Sequence, residues 1–285
     1  MPLYDKKIEP LYKIWDTIFS LFRVMRESKF CKTEPMNRNH DKCIILGNGP
    51  SLIKTLEANQ NNLSNYDHIA VNFFATSPEY VKYKPDKYVL CDPAFWFDIP
   101  YGDIIDKVKN LYKTLVKSTC WPLQIFLPYQ AQRNNKIKEF VSSNSYISLH
   151  YYNKTKYEGW GHNFFYRKQW GMPRAQNVLN AALMLAIYSD YQQIYLAGAD
   201  NDWVSNVWVD EQNKVRINDT HFYNYEEARS KARYWDMTID EAMLCFYFAF
   251  ITYNRINAYA QTKGIIIRNT NPLSYIDVFE KNPQI

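Results

Sequence analysis

The sequence predicts an α/β fold: a mostly parallel sheet with helices on both faces. Three observations carry this. Short apolar runs of strand length recur at 43–46, 68–71, 88–91, 123–127, 194–197 and 264–268. Helical patterns stand between them at 51–59, 103–117 and 172–188, with a last one at 239–262. Strands alternating with helices favour parallel pairing with both faces covered. Third, a glycine turn, Gly47-Asn48-Gly49, lies directly between the first strand and the first of these helices.

In chain order, residues 8–30 form an amphipathic helix, with Leu11, Ile14, Trp15, Ile18, Phe19, Phe22 and Met25 at helical spacing. Lys13, Arg23, Arg26 and Lys29 supply positive charge, diluted by Asp16 and Glu27. Two readings fit: a helix lying on a membrane surface, or one packed on the body or on another subunit. The polar stretch 31–41 reads as a linker, so that 1–41 is set apart from a single α/β domain over 42–285. Two aromatic, polar and weakly periodic stretches, 151–170 and 202–226, read as lid segments over a site. In such sheets ligands bind at the carboxyl ends of the strands, so the residues just after each strand carry the functional expectation.

The composition, 47% hydrophobic and 22% charged over 285 residues, supports a buried core and excludes a disordered chain. Aromatics reach 17%, with 24 Tyr and 8 Trp, flat faces that suit sugars and bases as well as ordinary packing. A net charge of +5 fits an anionic substrate or lipid. With no zinc-finger spacing, no aromatic RNA-binding signature and no long Lys/Arg block, no nucleic-acid partner is expected. The five cysteines, Cys31, Cys43, Cys91, Cys120 and Cys245, have no metal-ligand spacing and read as reduced thiols. No run approaches the roughly 20 apolar residues of a membrane span, and the first residues lack a secretory pattern. The expectation is a cytoplasmic protein, peripheral on the inner membrane if residues 8–30 bind it.

The turn Gly47-Asn48-Gly49-Pro50-Ser51 lets the backbone approach a ligand and points a helix amino end at it, an arrangement that favours phosphate. It has neither the dinucleotide fingerprint spacing nor the P-loop lysine. Asn72 and Asp92 each follow a strand and can bond ribose, base or sugar hydroxyls. Arg174 could grip a carboxylate or phosphate, and Gln176 and Asn177 follow it at the start of the helical run. Asp200-Asn201-Asp202 follows a strand and resembles an Asp-x-Asp element, a place for Mg²⁺ or Mn²⁺ through Asp200 and Asp202. His221, in Asp-Thr-His-Phe-Tyr, is the candidate base, with His162 as runner-up.

In their order, Gly-Asn-Gly-Pro-Ser-Leu, Asn72 in Val-Asn-Phe-Phe, Asp92-Pro93, the unit 186–200 and Asn-Thr-Asn-Pro-Leu-Ser at 269–274 resemble the bacterial sialyltransferases of glycosyltransferase family 42 and related proteins of unknown function. The resemblance implies a Rossmann-like, GT-A-like domain and an inverting, metal-independent transfer from a cytidine monophosphate–sugar donor to a glycan or glycolipid acceptor. It implies that Asn48, Gly49, Ser51 and Asn72 hold the nucleotide and that His221 is the base. Asp92 stands where that family has an Asn. The family's phosphate-supporting tyrosines fall near Asp202 and Trp208, leaving Tyr223 or Tyr225 as substitutes. The rival readings are a metal-dependent pyrophosphokinase using Asp200 and Asp202, and a nucleotide-binding module without catalysis. A homo-oligomer is compatible with all of them.

Overall fold

A computed structural model describes residues 9–97, 104–218, 222 and 233–285. Its centre is an eight-stranded sheet, parallel throughout. The strands are β1 (Lys42–Leu46), β2 (Asp67–Val71), β3 (Lys87–Val89), β4 (Leu123–Pro128), β5 (Ile147–Tyr152), β6 (Gln193–Ala197), β10 (Ile266–Asn269) and β11 (Glu280–Lys281), in the order β11-β10-β6-β1-β2-β3-β4-β5. The chain builds outward from β1 to β5, then returns to the other side of β1 with β6. The strand order therefore reverses between β1 and β6, the crevice where open α/β sheets bind ligands.

The central strands are fully buried because they are covered on both faces. One face packs under α7 (Val178–Tyr188) and α8 (Ile239–Thr262), with Cys43, Ile45, Ile69 and Leu196 meeting Leu183, Ile187 and Ile256. The other packs under α2 (Leu52–Ala58), α3 (Glu79–Tyr83), α4 (Ile104–Ser118) and α5 (Asn135–Ser142), with Ile44, Leu46, Ala70 and Ile125 meeting Leu56, Tyr80, Leu111 and Ile137. Alternate residues of one strand thus feed two separate cores.

The helical run expected from 172 begins instead at Val178. Asn177 fixes the start by reciprocal bonds with Asn180, its side chain accepting from the Asn180 N–H (3.0 Å) and its own N–H donating back to the Asn180 side chain (3.3 Å). The segment ahead of it is extended and bridges Lys156 to Met172. The expected lid at 151–170 is in fact a packed element. It holds the end of β5 and α6 (His162–Lys168), and Tyr157 and Tyr166 are buried beneath it. Within 202–226, β7 (Val207–Val209) and β8 (Val215–Ile217) form a hairpin extended by β9 (Arg233–Tyr234); residues 219–221 and 223–226 lie outside the described residues.

The stretch 31–41 is not a linker either. It is a strap laid across the amino edge of the sheet. Its amides donate to Gln169, Ser189, Gln124 and Asp67 from Thr33, Met36, Asn37 and Asn39, and Met36 is buried. Beneath it Lys87 is fully buried, 3.1 Å from Asp67 and paired also with Asp86, while Tyr191 donates to Asp67 at 2.6 Å. A polar sequence is ordered here because its backbone amides find side-chain partners on the body. The strap therefore ties residues 28–41 into the α/β body.

Candidate functional site

The turns after β1 and β6 meet at the switch point. The Gly47 N–H donates to the Ala197 carbonyl (2.7 Å) and the Gly49 N–H to the Gly198 carbonyl (2.9 Å). Gly198 has φ +64, and a Cβ there would lie 2.7 Å from the Gly47 oxygen. A Cβ on Gly49 would lie 1.9 Å from Asp200 Oδ2. Asp200 fills the space in front of the turn. Its Oδ2 accepts from Ser51 Oγ (2.9 Å) and the Ser51 N–H (3.4 Å), and its Oδ1 from Asn271 Nδ2 (2.8 Å). Burial raises the Asp200 pKa above its ordinary value, the Ser51 bonds oppose the rise, and the nearby Asp202 carboxylate adds to it.

This corrects the expected phosphate cradle. The amides of Gly47, Gly49 and Ser51 donate within the protein, and α2 is a seven-residue helix whose start is capped by the carboxylate of Asp200. The turn still forms one wall of an open cleft, of about 430 Å³, at the carboxyl ends of β1, β2, β3 and β6. Asn48, Gly49, Pro50, Asn72, Asp92, Gln176, Asn177, Asp200 and Asp202 all border it.

Two of these residues hold a buried side-chain oxygen without a partner. Asn48 donates through Nδ2 to the Val71 carbonyl (3.2 Å), which leaves Oδ1 buried without a partner. Asn72, in the left-handed region at φ 48, also has a buried, unpartnered Oδ1. Buried orphan acceptors cost on the order of 1–3 kcal/mol each unless a ligand supplies donors. Asp92 accepts from the Ala94 N–H (2.8 Å), capping a 3-10 turn. Asn177 caps α7 and donates to the Tyr253 hydroxyl (3.0 Å), as Asn201 also does (3.0 Å). Burial pushes the Tyr253 hydroxyl up to about 12, with the two amides opposing.

Arg174 turns away from the cleft border and stacks over Phe248, 3.9 Å from the ring centroid. His162 starts α6, is exposed and bonds its ring to the Gly159 carbonyl (3.3 Å); it does not border the cleft. His221 and Tyr223 lie outside the described residues. Phe222, between them, donates its N–H to the Asn48 carbonyl (2.9 Å) and packs on Phe74.

Two cleft residues escaped the sequence reading. Lys154 follows β5 and donates from Nζ to the Cys91 carbonyl (2.7 Å), holding a cation over the cleft. Trp203 borders the same space and stacks on Phe246 at an interplanar angle of 13°. A lysine just after a strand is the signal that was available, but β5 itself was not recognised.

The fold has a solved counterpart. The MAf glycosyltransferase from Magnetospirillum magneticum AMB-1 superposes with a TM-score of 0.53 over 93% of this chain, at 11% identity. At that identity the likeness establishes the Rossmann-like α/β fold. The chain spans 37% of that protein's length. The sequence matches no protein-family model and no curated protein.

Proposed function

We propose that the chain is a glycosyltransferase that moves a sugar from a nucleotide donor, of the cytidine monophosphate–nonulosonic acid type, to a glycan or glycolipid acceptor. The observation that carries this reading is the lining of the cleft at the switch point: the amide side chains of Asn48, Asn72, Gln176 and Asn177, with the Lys154 ammonium and the Trp203 ring bordering the same space. Side-chain amides suit the polar edge of a base or the hydroxyls of a ribose. A lysine cation suits the phosphate or the sugar carboxylate. The nucleoside end therefore lies against Asn48 and Asn72, and the anionic end points to Lys154. The fold it shares with a glycosyltransferase supports the same class.

In this mechanism His221 takes the acceptor hydroxyl proton as the hydroxyl oxygen bonds to the anomeric carbon. The bond from that carbon to the phosphate oxygen breaks, and the nucleotide leaves with the electron pair. Phe222, tied to the Asn48 carbonyl, supports a base held near the turn. The leaving phosphate is stabilised by Lys154, with Tyr223 as hydroxyl donor. Charge stabilisation of this kind is the larger share of rate enhancement in many enzymes. The pyrophosphokinase alternative would use Asp200 and Asp202 as metal ligands; both Asp200 oxygens accept bonds within the protein. Asp202 Oδ2 accepts from Asn206 (3.0 Å). The transfer reading is drawn without a metal, and the EDTA arm of the test separates it from this alternative.

The test is turnover of a panel of nucleotide sugars with and without EDTA, alongside titration with cytidine and uridine monophosphates. Tighter cytidine binding and EDTA-insensitive release of the nucleotide are expected. Nucleoside triphosphate turnover abolished by EDTA, with no sugar transfer, would overturn the reading.

A further inference from the structure

Helix α1 (Glu9–Glu27) packs on the body with the face that sequence patterning would turn to solvent. Its inner face is Thr17, Ser20 and Val24. Thr17 Oγ1 accepts from the Trp160 N–H (2.9 Å) and Ser20 Oγ from the Glu158 N–H (3.1 Å), and Val24 is buried. Gly159 makes this docking possible, since a Cβ there would lie 2.4 Å from the Thr17 Cα. The chain following the helix is fixed too, with the Lys29 N–H donating to Asn153 Oδ1 (3.0 Å). The orientation is therefore specified by close backbone approach and by hydrogen bonds that the aromatic face could not make.

As a result the aromatic face points outward. Trp15, Phe19, Phe22 and Met25 are 58%, 60%, 58% and 67% exposed. A second element extends the patch: Trp160, in the turn bonded to Thr17, is 53% exposed, and Phe164 on α6 is 43% exposed. Phe164 and Phe30 meet through Trp170, with ring centroids 5.8 and 5.2 Å apart, which joins the end of α1 to α6. A contiguous apolar surface of this kind marks an interaction site.

The charges at its margin identify the occupant. Arg23, Arg26 and Lys29 stand at the carboxyl end of α1, and the exposed Arg167 and Lys168 follow Phe164 by one turn of α6. The opposing carboxylates are Asp16 and Glu27, and Glu27 is already paired with Arg26. We propose that this face docks on an anionic bilayer surface, with the Trp and Phe rings at headgroup depth and the basic margin on the phosphates. A two-fold pairing with a second copy would bring the same basic margin into one interface, where like charges repel. Among the described residues no helix is long and apolar enough to cross a membrane, so the contact is peripheral. The proposal stands whether or not the chain transfers sugars.

Flotation of the full chain with phosphatidylcholine vesicles, with and without phosphatidylglycerol, tests it, with sedimentation velocity in parallel. Expected is binding at least tenfold tighter to the anionic vesicles and weakened by salt. Phe19→Ser with Phe22→Ser should lose at least tenfold in binding with an unchanged melting temperature and sedimentation coefficient. Arg23→Glu with Arg26→Glu should abolish the anionic preference, each removed cation alone being worth about fivefold. Three results would overturn the proposal: no binding of the wild type to anionic vesicles, full binding by the double serine variant, or an oligomer that this variant dissociates. The last would assign the face to a second copy.

Discussion

Replacing Gly49 by alanine tests the central contact of the site. The new methyl carbon would start 1.9 Å from Asp200 Oδ2, 2.8 Å from its Cγ and 2.7 Å from the Gly198 oxygen. Ordinary carbon–oxygen contact is about 3.4 Å, so the carboxylate must retreat by about 1.5 Å. That movement breaks its bonds from Ser51 Oγ at 2.9 Å and the Ser51 N–H at 3.4 Å, and pulls on the bond from Asn271 at 2.8 Å. Hydrogen bonds to a charged group contribute about 1.5–3 kcal/mol each and do not add fully. The Gly198 oxygen is backbone and cannot swing aside. We expect Gly49→Ala to cost about 3–5 kcal/mol in urea unfolding, with an unchanged m-value. Adding Asp200→Ala should cost less than the sum of the two single changes, with a coupling of about 1–3 kcal/mol, because the alanine removes the atoms that collide. A Gly49→Ala protein within about 0.5 kcal/mol of wild type, or strictly additive costs, would refute the placement of Asp200 against the turn.

Three further outcomes follow from the same geometry. Lys154→Met should weaken binding of a nucleotide monophosphate about 10- to 100-fold by calorimetry, since it removes a cation at the cleft, and cost at most about 1–3 kcal/mol in urea unfolding through the lost bond to the Cys91 carbonyl; equal binding would remove Lys154 from the site. Lys87→Met should cost about 3–5 kcal/mol in urea unfolding, because the buried Asp67 then keeps its charge without its cation; a neutral result would show that the strap alone satisfies Asp67. Ser51→Ala should raise the Asp200 pKa further. A carboxyl raised in the fold imposes no cost below its unfolded value near 3.8 and a growing cost as pH rises through the folded value. The stability difference between Ser51→Ala and wild type should therefore be smallest near pH 3.5 and reach about 1–2 kcal/mol at pH 7; a difference that shrinks with rising pH would refute it.

The sheet was readable where burial is complete. Cys43–Leu46 and Ile194–Ala197 are apolar throughout, the Ile239–Thr262 helix carries a long apolar run at 242–251, and the structure forms all three within a residue of the expected bounds. β5 was missed because it is the edge strand. Ile-Ser-Leu-His-Tyr-Tyr alternates in exposure, and its polar residues serve the strap: His150 bonds Glu34 at 2.9 Å. Missing β5 hid Lys154, the cation that follows it. The packing of α1 was unreadable for a different reason. Periodicity identifies an apolar face but not whether the protein itself covers it, and here Gly159 and two hydroxyls decided the orientation.

The glycine turn shows how a correct local reading can assign the wrong partner. Strand, tight turn and helix start are all where the residue types put them, and the positive helix end does bind a carboxylate. The carboxylate belongs to the protein. Asp200 reaches the helix start because β6 lies beside β1, a neighbour relation that depends on strand order and is invisible in the spacing of residues 47–51. With that position filled, the donors a phosphate needs have to come from elsewhere in the cleft. The Lys154 ammonium is the cation held there, bonded to the Cys91 carbonyl. The turn still borders the cleft through Asn48, Gly49 and Pro50. In the proposed reading the anionic end of the donor therefore lies toward Lys154.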